Sequence, residues 1–489
     1  MPKVTFVGSE KSIFVEGKTT VLQAARQLDI QLSAPCGGNG TCGKCRVKIG
    51  DEEVLACQTT VDTDMTVELL QQGKERILTA GQLTELPVDP VKPGYMVAFD
   101  IGTTTVVCFL LSPEGEELAV ESILNPQVTY GADVISRIQH ALAEELESLS
   151  QLIRKGMLDL LHKCCSHAGI SLSEISVISV VGNPCMQQLF LGISPVNLAA
   201  VPFLPVLKEA KTECASAIFP ECTNAVLLTV PDISGYVGAD TMGCVLATKM
   251  YQSNETMLMV DIGTNGEMVL AHNGRMVACS TAAGPALEGA NIQFGMRGSA
   301  GAIDHVWTED GLIRHSVIGE TEPVGICGSG IIDAVAALLN LKLLNRRGRI
   351  QSKEEVDGQR IVRLSENIYL TQDDIRQVQM AKGAISAGIH LMCGHLGIEV
   401  TDIQQVVLAG AFGSYLNPES ACRIELLPRE LSGKIRAAGN LAGVGSKMIA
   451  VNKNQFLRTQ ELVNHVEFIE LADLPLFQKT FAKCMAFTE

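Results

Sequence analysis

Short alternating runs of apolar and polar residues open the chain, and longer apolar runs follow them. Val4-Thr5-Phe6-Val7 and Ser12-Ile13-Phe14-Val15 alternate with the period of two that strands require, separated by a polar turn. Thr20 to Leu28 sets Val21, Leu22, Ala25 and Leu28 at helical spacing. Cys45 to Ile49, Glu53 to Cys57 and Met65 to Leu69 supply further strand-like segments around a cysteine-bearing, glycine-rich loop. Two hairpins, one helix and that loop predict a β-grasp domain over residues 1–78.

Residues 79–94 turn rich in proline and polar groups, including L-P-V-D-P-V-K-P-G, and read as a short linker. Beyond it the pattern becomes α/β and carries an internal echo. Phe99-Asp100-Ile101-Gly102-Thr103-Thr104 returns 161 residues later as Val260-Asp261-Ile262-Gly263-Thr264-Asn265. Each copy follows an apolar run and precedes another apolar strand. Duplicated lobes over 95–255 and 256–489, each opening with a hairpin, are the simplest explanation.

The 489 residues carry a net charge of −16, which argues against nucleic acid or an anionic membrane as partner. No apolar stretch reaches the 18 or so residues needed to span a bilayer. The start, M-P-K-V-T-F, lacks a charged leader and an apolar core, so a cytoplasmic protein is expected. Twelve of the sixteen cysteines are scattered in apolar surroundings. Cys108, Cys185, Cys244, Cys279 and Cys327 read as small buried hydrophobes, and the vicinal pair Cys164-Cys165 as core residues of a helix.

The other four thiols are concentrated. Cys36, Cys42, Cys45 and Cys57 follow the spacing C-x5-C-x2-C-x11-C, with Gly37, Gly38, Gly40 and Gly43 between them. Four soft ligands in a loop stripped of side chains let backbone N–H groups approach inorganic sulfide, which favours one [2Fe–2S] cluster. The spacing resembles β-grasp [2Fe–2S] ferredoxins, with one residue more in the first gap than the plant type and a much shorter last gap. A zinc knuckle is the alternative, but only Cys42 and Cys45 form the C-x-x-C hook that zinc ribbons present in pairs.

The repeated Asp-Ile-Gly-Thr turns suit magnesium–phosphate chemistry. A strand-end carboxylate holds the cation through water, the glycine permits a tight turn, and turn N–H groups with threonine hydroxyls cradle phosphate oxygens. Leu408-Ala409-Gly410-Ala411-Phe412-Gly413 adds a glycine-rich segment downstream, and no Walker sequence is present. The trio resembles the phosphate-1, phosphate-2 and adenosine motifs of the acetate and sugar kinase, heat-shock chaperone and actin superfamily, whose members bind ATP between two ribonuclease-H-like lobes. The resemblance implies a first phosphate loop at Asp100, Gly102, Thr103 and Thr104, and a second at Asp261, Gly263, Thr264 and Asn265. It places Gly410, Ala411 and Gly413 under the adenosine and Gly328 in a connecting element. Asp240 or Asp232 would orient the attacking water.

The order of β-grasp cluster domain, short linker and two-lobed ATPase resembles the ATP-dependent reductive activators of corrinoid proteins. The carrying motifs are P-C-G-G-N-G-T-C-G-K-C, F-D-I-G-T-T-T, G-Y-V-G-A-D at 235–240, V-D-I-G-T-N-G-E at 260–267, A-A-G-P-A at 282–286, C-G-S-G at 327–330 and L-A-G-A-F-G-S-Y-L at 408–416. That resemblance implies transfer of one electron from the cluster to Co(II) cobalamin, giving Co(I) in a methyltransferase system. It implies a [2Fe–2S] cluster, ATP and Mg2+ as cofactors, a corrinoid protein as partner, and an electron donor such as a low-potential ferredoxin or flavodoxin. Whether the chain forms a homodimer is left open by the sequence. Alternatives are an activator of a radical dehydratase, a small-molecule kinase with a redox-sensing domain, and a simple electron carrier.

Overall fold

A computed structural model describes residues 1–7, 11–28, 30, 32, 34, 38, 40, 45–69, 86–263 and 265–488. Cys36, Cys42 and Thr264 lie outside the described residues. Strands β1 (Lys3–Val7) and β2 (Lys11–Phe14) precede helix α1 (Val21–Gln27), and β3 (Arg46–Ile49), β4 (Glu52–Leu55) and β5 (Met65–Leu69) follow it. Their order is β2-β1-β5-β3-β4, with β1 and β5 parallel, which is the expected β-grasp arrangement. A reciprocal cap starts α1: Gln23 N donates to Thr20 Oγ1 at 3.2 Å, and Thr20 N donates to Gln23 Oε1 at 2.8 Å. Its Val21, Leu22, Ala24 and Ala25 bury against Phe6, Val47 and Val67.

The second sheet contains β6 (Tyr95–Ile101), β7 (Thr105–Leu111), β8 (Glu117–Leu124), β9 (Ile175–Gly182), β10 (Lys211–Cys214) and β11 (Val226–Thr229), in the order β10-β11-β9-β6-β7-β8. Every residue of β9 is buried, as a strand covered on both faces requires. Between β8 and β10 lie α2 (Val134–His140), α3 (Leu146–Ala168) and α4 (Pro184–Leu191), and α5 (Ala239–Thr248) follows β11. Helix α3 lays Leu149, Ile153, Met157, Leu160 and Leu161 on the outer face of the sheet.

The third sheet repeats the scheme. Strands β12 (Met257–Ile262), β13 (Gly266–His272) and β14 (Arg275–Thr281) form its meander. A hairpin of β15 (Ala302–Glu309) and β16 (Leu312–Val317), a short β17 (Gly325–Ile326) and helix α6 (Gly328–Asn340) come next. After the small sheet of β18 (Glu355–Val356), β19 (Gln359–Arg363) and β20 (Tyr369–Thr371) runs α7 (Gln372–Leu396). The chain then returns to the third sheet through β21 (Gln405–Ala409), passes α8 (Gly410–Tyr415) and α9 (Pro418–Arg423), and adds β22 (Ile435–Ala437). It ends with α10 (Leu441–Val451), α11 (Lys453–Val463), β23 (Val466–Phe468) and α12 (Phe477–Cys484), giving the order β22-β21-β12-β13-β14-β23.

The two large sheets place their aspartates equivalently. Asp100 on β6 lies between Val107 of antiparallel β7 and Val181 of parallel β9. Asp261 on β12 lies between Glu267 of β13 and Ala409 of β21. The internal echo is therefore a structural repeat.

A shared layer joins the sheets. Helices α5 and α10 pack between them, and one apolar cluster runs from Met96, Val177 and Leu228 through both helices to Met259, Val269 and Val407. Helix α10 belongs to the second half of the chain, yet it is anchored on the first sheet. Ser179 Oγ donates to Ser446 O at 2.7 Å, and Lys447 Nζ pairs with Glu117 at 2.9 Å above the Phe109 ring. The helices touch glycine to glycine: a Cβ on Gly445 would lie 2.2 Å from Gly243 O and 2.3 Å from Gly243 Cα.

Cys108, Cys164, Cys165, Cys185, Cys244, Cys279 and Cys327 are buried, and burial pushes the Cys165 thiol up to about 11 and the Cys185 thiol up to about 12, which keeps both protonated and inert. Cys214 differs: it is exposed on edge strand β10, where one apolar neighbourhood in the sequence did not translate into burial. Among the described residues no helix is long and apolar enough to cross a membrane.

The glycine contact yields a paired test. Gly445→Ala should lower stability by about 1–3 kcal/mol, because only backbone atoms stand in the way of the new methyl group. Gly394→Ala, in α7 with nothing within 4 Å of the added carbon, should be neutral or stabilise by up to about 1 kcal/mol. Thermal unfolding of both variants checks the contrast, and equal midpoints would remove the argument.

Candidate active site

The two Asp-Ile-Gly turns open onto one cavity of about 990 Å³ between the sheets. In the first turn, Gly102 N donates to Thr105 O at 2.9 Å, and a Cβ on Gly102 would sit 2.9 Å from that same oxygen, so only glycine closes the hairpin. Three carbonyls of this turn are held from behind. Asn125 Nδ2 donates to Gly102 O at 2.8 Å, Arg137 Nη2 to Thr103 O at 2.5 Å, and Asn125 N to Thr104 O at 2.8 Å. Asn183 Nδ2 donates to the Thr103 hydroxyl at 2.9 Å. Arg137 is fully buried, and burial lowers its guanidinium to about 10, still charged at neutral pH.

Carboxylates converge on the cavity. Burial pushes Asp100 up to about 7, partly offset by Asn440 Nδ2, which donates to its Oδ2 at 2.8 Å. The negative charges of Asp240 and Asp261 push it the same way. Asp261 rises to about 7 through burial and then the charge of Asp240. Asp240, at the start of α5, rises to about 6 through burial, although Thr241 N donates to its Oδ1 at 2.8 Å. Glu267 is pushed well up by burial and then by Asp240 and Asp261. Gathered carboxylates that resist ionisation are the environment a divalent cation relieves. Asp100, Asp240 and Asp261 therefore fit a magnesium ion, directly or through water.

The glycines of the cavity wall have their own close packing. A Cβ on Gly410 would sit 2.5 Å from Asp261 Oδ1, and one on Gly328 would sit 1.9 Å from Leu287 O and 2.6 Å from the Phe412 ring. Gly328 and Gly410 line the cavity with Phe412 and Tyr415, a flat apolar patch suited to a purine. Thr104 Oγ1 reaches Glu288 Oε2 at 3.5 Å across the cleft.

In the β-grasp domain, Cys45 precedes β3 and Cys57 follows β4. Ala56 N donates to Cys45 O at 2.8 Å, which closes that end of the hairpin. Gly38 has φ +104°, and a Cβ there would lie 3.2 Å from Leu22 Cδ2 and 4.0 Å from Cys57 Cβ. Cys45 is buried and Cys57 half-buried at this end of the hairpin, and soft ligands so placed fit a thiolate-held iron–sulfur cluster.

Comparison with known proteins agrees with this layout. Residues 4–77 match the family profile described as a 2Fe-2S iron-sulfur cluster binding domain, residues 95–253 the RACo middle region, and residues 255–489 the C-terminal domain of RACo, the ASKHA domain. The corrinoid activation enzyme RamQ of Eubacterium limosum is 31% identical over 98% of this chain and 98% of its own length. The chain belongs to the reductive activators of corrinoid proteins. A Methanosarcina barkeri reductase of the Co(II) methylated amine-specific corrinoid protein is 27% identical over 74% of the chain and 71% of its own. The solved structure of a reductive activator for corrinoid, iron–sulfur protein superposes with a TM-score of 0.73 at 26% identity, covering 100% of this chain and 98% of that one.

In this activator the cavity wall contains Asp100, Gly102, Thr103, Thr104, Asp240, Asp261, Gly263, Asn265, Gly328 and Gly410. Ala411 lies in α8 beside them. Gly413 is not on the wall: a Cβ there would meet Leu408 at 2.9 Å, so it lets α8 pack on its own strand. Asp232, the other candidate for orienting water, is only 2% exposed, accepts from Gln187 Nε2 at 2.8 Å and is absent from the lining, whereas Asp240 is part of it. Sequence reasoning missed Asn125, Arg137 and Asn440, which come from segments without a phosphate motif. Asn440 had one readable signal, a helix-capping position: Gly443 N donates to its Oδ1 at 2.6 Å.

The raised carboxyls set a pH dependence. Folded values near 7, 7 and 6 for Asp100, Asp261 and Asp240, against an ordinary 3.8, mean that the folded chain holds protons the unfolded chain has released. These groups therefore make the nucleotide-free protein less stable as pH rises from about 5 to 8. Added magnesium and nucleotide offset that loss, so their stabilising effect grows over the same window. Thermal unfolding with and without Mg–ATP at about pH 6 and 8 checks this, and an effect larger at the lower pH refutes it.

Proposed function

We propose that the protein uses ATP to drive one electron onto the Co(II) cobalamin of a corrinoid protein, giving the Co(I) form that a methyltransferase system needs. The observation that carries this reading is the union, in one chain, of a domain of the 2Fe-2S cluster binding family with a half-buried carboxylate cleft built on two Asp-Ile-Gly turns. Family membership supports the corrinoid protein as partner. Cys36 and Cys42 complete the ligand set in this reading, and when bound the [2Fe–2S] cluster supplies a low-potential, one-electron carrier. A low-potential ferredoxin or flavodoxin would refill it.

The residues of the cleft divide the nucleotide work. Thr103, Thr104, Gly263, Thr264 and Asn265 hold phosphate oxygens, and Asp100 and Asp261 hold the magnesium. Asp240 takes the position that orients water for attack on the terminal phosphate, releasing ADP and phosphate. Plant-type clusters lie near about −400 mV, and a Co(II) corrinoid is expected to be harder to reduce. An allosteric coupling of roughly 1–3 kcal/mol corresponds to about 40–130 mV for one electron. Nucleotide binding supplies that much if it favours a lobe arrangement gripping the partner in a more reducible state.

Under anaerobic conditions, loss of the Co(II) absorbance of a corrinoid protein should require both the reconstituted cluster and Mg–ATP. Equal rates with and without ATP would refute the coupling. Asp100→Ala and Asp261→Ala should each cut ATP turnover by roughly 10²–10³-fold while leaving the visible cluster spectrum intact, since the β-grasp core is separate from the cleft. A bleached spectrum in either variant would mean that the two parts do not fold independently.

A further inference from the structure

The cluster domain and the first phosphate turn are connected through one arginine. Arg26 is at the end of α1, close to Gly38, which stands between the first two of the clustered cysteines in the sequence. Its Nη2 lies 3.9 Å from the position a Cβ on Gly38 would take, and the same position is 4.0 Å from Cys57 Cβ. From there the side chain reaches the other domain. Arg26 Nε donates to Thr129 O at 2.7 Å, and its guanidinium carbon lies 4.8 Å from the centre of the Tyr130 ring. A polar groove of about 750 Å³, lined by Lys18 and Gln23 on one side and by Glu145 and Gln151 on the other, separates the domains next to this contact.

Thr129 and Tyr130 belong to the segment that holds the phosphate turn. Asn125 starts this segment and donates to Gly102 and Thr104, and Arg137 donates from its Nε to Gly131 O at 3.0 Å and from its Nη2 to Thr103 O at 2.5 Å. The path runs from the cysteine loop to Arg26, to Thr129, and through Asn125 and Arg137 to Gly102–Thr104. Each step after the first is a direct hydrogen bond or one short helical turn. Packed segments of this kind transmit displacement rather than absorb it.

We propose that Arg26 is a positioning residue that couples occupancy of the first phosphate turn to the reduction potential at the cysteine loop. The physical basis is charge. Gaining one electron makes a thiolate-held cluster more negative, so a guanidinium beside the loop favours the reduced state. A nucleotide that shifts the 125–131 segment shifts that guanidinium with it. The proposal rests on the two-site reading above and adds the route between the sites.

The test is a redox titration of the reconstituted full-length protein, followed by electron paramagnetic resonance, with and without magnesium and a non-hydrolysable ATP analogue. The wild-type protein should show a nucleotide-dependent shift in midpoint potential. Arg26→Gln should lower the nucleotide-free potential and abolish the shift. Arg26→Lys keeps the charge and should keep the nucleotide-free potential, with a smaller shift because a single ammonium replaces the planar fork. A wild-type protein without a shift, or an Arg26→Gln variant that retains the full one, would overturn the proposal. If Arg26→Gln fails to hold a cluster, Tyr130→Leu removes the ring from the far side and leaves the cluster domain untouched. It should at least halve the shift, and an undiminished shift overturns the proposal equally. ATP-dependent loss of Co(II) by the wild-type protein, measured in parallel, separates failure of this route from failure of the function itself.

Discussion

Two helices that meet backbone to backbone determine where everything else can lie. Because Gly243 and Gly445 carry no side chains, α5 and α10 approach closely enough to form a single layer between the two large sheets. The sheets then present the ends of β6 and β12 to the same space, which brings Asp100 and Asp261 into mutual electrostatic reach although 161 residues separate them. Asp240 opens α5 and Asn440 caps α10, so the same two helices also deliver a third cavity carboxylate and the amide that steadies Asp100. A wider spacing of the helices would pull these four side chains apart together.

The cleft is assembled against its own electrostatics. Asp100, Asp240, Asp261 and Glu267 lie half-buried near one another, no cationic side chain forms an ion pair with any of them among the described residues, and each is held above the ordinary carboxyl range. In a structural core such an arrangement would be replaced by apolar residues at little cost to stability. Its persistence makes sense where a dication and a polyphosphate complete the charge balance. The neighbouring backbone is correspondingly stiff: the first turn is fixed by Asn125 and Arg137 from behind and the second by Gly410 pressed against Asp261. The fold thus concentrates instability in groups a ligand can neutralise and keeps the geometry around them rigid.

What could be read from the sequence was chemistry confined to short segments. Asp100-Ile101-Gly102-Thr103 and its repeat were legible because a tight strand-to-strand turn with a carboxylate at its edge tolerates few residue types. An iron–sulfur domain was legible from the cysteine spacing for the same reason, as was the β-grasp pattern of alternating strands around one capped helix. Long-range partners were not. Nothing local marks Arg137 as the support of Thr103, because the requirement comes from a carbonyl 34 residues away. Gly413 looked like part of a nucleotide floor because it stands in a glycine-rich run, yet its space is taken by Leu408. The crossing of α10 onto the first sheet was equally hidden, since chain order assigns it to the second half while Ser446 and Lys447 bind Ser179 and Glu117.

The contrast between the two kinds of junction explains how one chain can both hold and deliver an electron. Inside the ATPase body the lobes share a continuous apolar cluster, so any rearrangement there must be a concerted slide of packed helices. The β-grasp domain has its own closed core, centred on Phe6, Leu22 and Val47, and meets the body through polar side chains flanking a groove. Polar contacts of this kind exchange readily for water at small net cost, whereas separating the shared core would expose apolar surface at about 25 cal/mol per Å². Under the proposed function, electron entry and electron delivery both need the iron–sulfur domain to face a partner protein. The polar junction is therefore the more compliant of the two, with the Arg26 contact to Thr129 and Tyr130 as its fixed point, and the tight one is reserved for the nucleotide.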